Sequence, residues 1–237
     1  MKTGIILPQF DAGPAELLGA ARLAEESGLD SVWVFDNLWG VPERDRPVLE
    51  AWTALAAVAA ATSRITVGSL VLRTTVRNRR VLLAMAQSLE MVAPGRVVIG
   101  LGIGDIRTRE EQLAYGLEFP PGAERGRELE RHLDLFAAEL PNVPVWIGGG
   151  ASYVMALIHK ADGWNYWGTV EAFEAHQDRA RARAGGRPAE ISWGGPKISP
   201  DGLMRLHELG ADHAVVAAGS HNFEKKIAML AAFGSTI

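Results

Sequence analysis

The sequence predicts an α/β fold, a single (β/α)8 barrel formed by residues 1–237. Three observations predict it. Short β-branched runs alternate with helix-period segments from end to end. The runs ITVGSLVL, RVVIGLG and VPVWIGG are almost continuously apolar, as strands covered on both faces are. The strand–helix units number about eight, which closes a barrel when the crossovers are right-handed. A doubly wound open sheet needs a reversal of strand order that the sequence does not show.

The first strand is expected over 3–7 and its helix over 14–27. The second strand follows at 31–35, then a polar, Pro-containing loop and an alanine-rich helix over 48–61. A strand at 65–72 leads into a helix over 78–92. The fourth strand spans 97–101. The stretch 107–140 reads as helix, interrupted at Phe119, Pro120, Pro121 and Gly122. Its second part places Leu129, Leu133, Phe136 and Leu140 on one face, with Arg127, Glu128, Arg131 and Asp134 opposite. Strands at 143–147, 163–167, 190–193 and 213–217 then alternate with helices at 152–160, 170–184, 200–209 and 222–233. No repeat, linker or low-complexity segment divides the chain.

Composition narrows the function classes. Hydrophobic residues make up 48% of the 237 positions and charged residues 22%, an ordinary globular balance. The net charge is −4, and the nearest approach to a basic cluster is Arg77, Asn78, Arg79 and Arg80, read as a solvated helix start. A nucleic-acid partner is therefore not expected. The absence of cysteine excludes disulfides, thiolate metal sites and a cysteine nucleophile. The opening MKTGIILPQF has no signal-peptide pattern, and the apolar run 51–61 is too short for a bilayer. A cytoplasmic protein without membrane contact is expected. His132, His159, His176, His207, His213 and His221 form no HxxxH or HExxH pair, so no metal site is expected.

Barrel chemistry sits where strands end, so the residues after each strand are the candidates. Asp36 and Asn37 follow strand two; they suit a polar site or an Asx turn equally. Gly68 and Ser69 interrupt an apolar strand, which signals a bulge, a close backbone approach or tight interior packing. Gly100, Gly102 and Gly104 alternate at the end of strand four, with Asp105 at the rim as a candidate acid. The spacing does not meet the dinucleotide fingerprint. Gly148, Gly149 and Gly150 precede a helix and form the best phosphate-site candidate. Trp167, Gly168 and Thr169 end the next strand, with Thr169 placed as an N-cap.

These stretches resemble the luciferase-like monooxygenase superfamily, and within it the oxidoreductases that use the deazaflavin F420. The similarity is carried by GLDSVWVFDNLW, EAWTALAAVAAATSRITVGSLVL, RNRRVLLAMAQSLEMVAPGRVVIGLGIGD, AYGLEFPP and VPVWIGGG…ADGWNYWGT, in family order from Thr3 to about Thr169. The resemblance implies a ring-binding barrel mouth. It implies a non-proline cis peptide at Leu70–Val71 behind the ring, with Ser69 beside it. It assigns Gly148, Gly149 and Gly150 to a phosphate turn, Gly102 and Gly104 to the loop beside the ring, and Asp105 to a position where some deazaflavin dehydrogenases carry an acid. Asp36, Asn37 and Ser69 would hydrogen-bond the ring, and Trp39 and Trp167 would wall the pocket. Two departures stand out. Asn37 occupies the position where the family commonly has a histidine, and Leu140, Pro141 and Asn142 run straight into Val143, where the family usually inserts a long segment. The expected activity is F420-dependent hydride transfer with a small organic substrate, in a homodimer. The alternatives are an FMN-dependent monooxygenase served by a flavin reductase, and a non-catalytic flavin-binding barrel.

Overall fold

The computed structural model describes residues 1–10, 12–41 and 43–235; Asp11, Pro42, Thr236 and Ile237, which the whole-chain expectation includes, lie outside them. The apolar runs become β1 (Lys2–Ile6), β2 (Ser31–Val34), β3 (Thr66–Ser69), β4 (Leu72–Arg73), β5 (Val97–Gly102), β6 (Val145–Gly148), β7 (Gly163–Trp167), β8 (Glu190–Gly195) and β9 (His213–Ala217). Every named pairing is parallel. The order is β3-β2-β1-β9-β8-β7-β6-β5-β4, and β3 pairs again with β5, which closes the barrel. Around it lie α1 (Pro14–Glu26), α2 (Ala51–Ala61), α3 (Arg79–Val92), α4 (Arg109–Ala114), α5 (Gly122–Glu139), α6 (Ser152–Met155), α7 (Val170–Ala184), α8 (Pro200–Glu208) and α9 (Phe223–Gly234).

The strand expected over 65–72 is cut in two. Four steps from Gly68 to Leu72 face three from Val98 to Leu101, so β3 and β4 are halves of one barrel strand separated by a bulge. The Leu70–Val71 peptide inside it is cis. Two helices also differ from expectation. A 3-10 turn at Ile106–Thr108 precedes α4, and the helix expected over 152–160 stops after Met155, giving way to a 3-10 turn at Ile158–Lys160. There the bonds run from each N–H three residues back, as in Leu157 to Val154 and Lys160 to Leu157.

The core has two parts. Between sheet and helices, α5 buries Leu129, Leu133 and Phe136 as its periodicity requires. Inside the barrel, Trp33 and Trp146 meet with ring centroids 4.9 Å apart, packed with Ile6, Leu70 and Val215. Glycine is required where those indoles press on the wall. A Cβ on Gly68 would lie 2.5 Å from Trp33, and one on Gly163 would lie 2.4 Å from Trp146. Gly68 therefore answers to interior packing, one of its expected readings.

A polar chain crosses the N-terminal end of the barrel. Trp33 Nε1 donates to Ser31 Oγ at 2.6 Å, and Ser31 Oγ lies 2.8 Å from His213 Nε2. His213 Nδ1 faces Glu190 Oε2 at 3.7 Å, and Glu190 pairs with Lys2 at 2.6 Å. These are the residue types of an acyl-transfer triad, but Ser31 has no solvent exposure. No substrate reaches its oxygen, so the chain is packing, at the end of the barrel that stabilises rather than reacts.

Glu25, in α1, holds the backbone of the connection between α2 and β3. Its Oε1 accepts the N–H groups of Ser63 at 2.9 Å, Arg64 at 2.6 Å and Ile65 at 2.9 Å. Desolvation would raise its pKa, but these three donors outweigh it and hold the group at about 2, below the usual 4.5. A carboxylate depressed on folding stabilises above its unfolded pKa and loses that contribution as pH falls through the folded one. Glu25→Gln is therefore expected to cost about 1 kcal/mol near neutrality, a modest figure because the site is half-buried and screened. The melting point should fall by about 2–4 °C. The difference from the parent should shrink between pH 4.5 and 2, as thermal melts across that range would show. A gap independent of pH would mean that the side chain acts by packing alone.

Candidate active site

All the parallel strands deliver their C-terminal ends to one face. At that face Phe35, just beyond β2, and Trp167, at the end of β7, come from opposite walls. Their rings meet edge to face at 5.3 Å and roof the barrel interior. Trp167 remains 39% exposed and lies over Gly194, where a Cβ would come within 2.7 Å of its ring. Trp167, expected from the sequence to wall the pocket, thus stands at the C-terminal face of the barrel.

Val71 forms a shelf beside this roof. A Cβ on Gly102 would stand 2.4 Å from Val71 Cγ2, and Cβ atoms on Gly148 and Gly100 would stand 2.9 and 3.1 Å from Val71 Cγ1. The alternating glycines thus make room for the valine that follows the cis bond. Leu70 points inward instead and packs against Trp33. Ser69 differs from expectation. Its hydroxyl donates to Gly100 O at 3.0 Å and accepts from Gly100 N–H at 3.1 Å, and it is fully buried. At the bulge the two backbones cannot pair directly, and the hydroxyl bridges them; it is not presented to a ligand.

Asp36 also differs. It was expected to reach a ring, but it is 5% exposed and enclosed by cations. Its Oδ2 accepts Arg73 N–H at 2.8 Å, and its Oδ1 lies 2.8 Å from Arg77. Arg77 continues to Glu50 at 2.7 Å, and Arg73 continues to Glu111. Opposing charges at these distances offset part of the cost of burial. Burial would lower the pKa of Arg77, but Asp36 and Glu50 raise it. Burial would raise that of Glu50, but the N–H groups at the start of α2 and Arg77 lower it. Arg77 is thus half-buried in an ion-pair chain, not the solvated helix start its sequence suggested.

Asn37, next along the loop, is half-buried, and its amide has no hydrogen-bond partner among the described residues. Trp39 lies under the Arg44 guanidinium, 4.6 Å from ring centre to carbon. Asp105 is exposed on the rim after β5. Its Oδ1 accepts Arg107 N–H at 2.7 Å, capping the 3-10 turn, and its Oδ2 makes no protein hydrogen bond. Gly104, at φ +69, turns the chain there. Arg125 approaches Gly104 O at 3.5 Å, bonds Pro120 O at 3.0 Å and covers the Phe119 ring at 3.8 Å. Burial lowers its pKa, and Asp105 opposes that shift.

In the glycine turn the three positions separate. Gly149, at φ +112, donates its N–H to Asn165 O at 3.0 Å, so that donor is not free for an anion. The N–H groups of Gly150 and Ala151 donate to no protein acceptor among the described residues. Gly168 donates to Gly194 O at 2.9 Å, and Thr169 caps α7 by accepting Ala172 N–H at 3.2 Å. Among the described residues no three His, Cys, Asp or Glu side chains gather as a metal site, and no helix is long and apolar enough to cross a membrane.

Sequence reasoning missed Gln9, Arg73, Glu111 and Arg125. Gln9, fully buried, accepts Phe35 N–H and donates to Phe35 O at 3.0 Å, extending the β1–β2 pairing by a side chain. Arg73 had a signal, a cation directly ending the apolar run VGSLVL; Glu111 had none.

The profile of the family described as luciferase-like monooxygenase matches residues 1–208. The chain belongs to the luciferase-like monooxygenase family. Its relatives include an F420-dependent glucose-6-phosphate dehydrogenase of Nocardia farcinica, 33% identical over 192 residues, which are 79% of this chain and 50% of that protein. The corresponding Kineococcus radiotolerans protein is 37% identical over 138 residues, 57% of this chain and 40% of that one. The chain therefore spans about half the length, or less, of these luciferase-like relatives. Among solved structures, an F420-dependent secondary alcohol dehydrogenase holding an F420–acetone adduct superposes with TM-score 0.79 at 16% identity, covering 96% of this chain and 97% of that one. The F420-dependent tetrahydromethanopterin reductase of Methanopyrus kandleri gives 0.78 at 15% identity, with 97% of both chains covered. At those identities the superpositions speak for the luciferase-like barrel and its topology.

Proposed function

We propose that this protein is an F420-dependent oxidoreductase that transfers hydride to or from a small organic substrate at the barrel mouth. The observation that carries the reading is the Val71 shelf, seated on three glycines, together with polar groups without protein partners in the loops that follow β2 and β6. A deazaflavin needs an apolar face for its ring, hydrogen bonds at the ring edge and donors for its phosphate. The residues present fit those needs: Val71 for the face, the Asn37 amide for the edge, and the N–H groups of Gly150 and Ala151 for the phosphate. The F420-dependent relatives support the same reading.

F420 supplies the two-electron hydride chemistry when bound. The chain orients it and manages the proton. Asn37 donates and accepts hydrogen bonds but does not titrate, so it holds the ring edge and moves no proton. Asp105 is the group for that task, because its Oδ2 stands free on the rim while Oδ1 is fixed by Arg107. Phe35 and Trp167, in contact edge to face, would keep water out of the barrel interior at the site.

The test is a fluorescence titration with F420 and, separately, with FMN. Micromolar or tighter binding of F420, with FMN at least tenfold weaker, is the expected result. The reverse preference would move the protein to the FMN-dependent monooxygenases and their reductase partners. Binding of neither would remove the redox reading.

A further inference from the structure

The loop after β2 and the turn after β5 hold the two side chains of the proposed chemistry, Asn37 and Asp105. They are far apart in sequence, and both are mobile by type. One buried side chain joins them. Glu111, in the first turn of α4, has no solvent exposure. Its Oε1 accepts the N–H groups of both Leu38 and Trp39, the latter at 3.0 Å, and its Oε2 pairs with Arg73. Arg73 in turn donates to Asp36 O, at the start of the same loop. On its own side of the mouth, Glu111 stands two residues into α4, directly behind the 3-10 turn that Asp105 caps. Tyr115 adds a hydrogen bond from the other end of α4 to Leu38 O at 2.7 Å.

We propose that Glu111 is a positioning residue that clamps the Asn37 loop to the Asp105 turn, so that the mouth is preorganised before any ligand arrives. A carboxylate does this where a neutral group cannot. It accepts two convergent backbone N–H groups on one oxygen and a guanidinium on the other, and each bond to an ionised acceptor is about twice as strong as its neutral counterpart. Preorganisation of this kind governs turnover more than affinity, because misplacement by about 1 Å can cost about a hundredfold in rate. The clamp is a property of the free protein; only its consequence for turnover rests on the F420 reading.

Residue-resolved amide hydrogen exchange on the free protein tests the clamp. In the parent, Leu38 and Trp39 N–H should be protected to within about tenfold of Phe35 N–H, which Gln9 holds independently. Unprotected Leu38 and Trp39 amides would overturn the proposal without any variant being made. In Glu111→Gln, exchange at Leu38 and Trp39 should rise at least tenfold while Phe35 and the strands β1 and β9 keep their rates. An unchanged rate at the two amides, or an equal rise across the strands, would overturn it. Where F420 binds and turnover is measurable, Glu111→Gln should lower kcat about tenfold and leave F420 affinity within about threefold. A parallel loss of both would reduce Glu111 to a fold-stabilising group. Failure of F420 to bind the parent would leave the exchange result to decide the clamp alone.

Discussion

Replacing Asp105 with asparagine is expected to lower turnover about a hundredfold while F420 affinity stays within about threefold. The substitution isolates acidity. Asparagine keeps an oxygen that can accept Arg107 N–H, the bond that caps the 3-10 turn at 2.7 Å. It removes only the capacity to hold or release a proton. Positioned general acids and bases contribute about 10²–10⁴ in rate, and the exposed position of Asp105 places it at the lower end. Steady-state kinetics beside a binding titration separates the outcomes. Equal losses in affinity and turnover would mean that the residue shapes the rim, and unchanged turnover would move the proton task elsewhere.

The second large effect is on stability. Arg73→Met is expected to destabilise the protein by about 3–5 kcal/mol, because it strands the buried Glu111 carboxylate without a cation and leaves Asp36 with Arg77 alone. The Arg73 side chain is 4% exposed, and the side chains of its partners Asp36 and Glu111 are 1% and 0% exposed, so water cannot replace the guanidinium. At about 2–4 °C per kcal/mol for a chain of this size, the melting point should fall by about 10 °C. Adding Glu111→Leu to Arg73→Met should recover part of the loss, because the second change removes one stranded charge. The contrast is Arg80 with Glu139, a pair 69% and 40% exposed, where a methionine in place of the arginine should stay within about 0.5 kcal/mol. A loss below about 1 kcal/mol for Arg73→Met would show that the network is solvated.

Much of the fold was legible because its signals are local. Gly149 is a case where a local signal located a feature but assigned it the wrong donor. Glycines before a helix announced a tight turn, and the turn exists, but Asn165 O takes the Gly149 N–H and leaves Gly150 and Ala151 as the free pair. Asp36 is a stronger case. A carboxylate at a strand end reads as a ligand-facing group when its neighbours are unknown. Its neighbours come from positions 73 and 77, brought beside it by the β2–β3 pairing and the bulge that follows. Ser69 read the same way, and the same bulge turned its hydroxyl onto Gly100.

The sequence by itself determined the barrel, the order of its strands and helices, and which loops form the rim. Strand and helix periodicity, cap residues and glycine placement depend on neighbours a few positions away, and such information is complete within a short window. Only the tertiary structure decided which polar groups remain free. The Val71 shelf depends on Gly100, Gly102 and Gly148, and the loop clamp depends on Leu38, Trp39, Arg73 and Glu111 meeting across the mouth. Those meetings follow from barrel closure and from a register shift of one residue at the bulge. A buried charge takes its role from whichever partner that closure brings within reach.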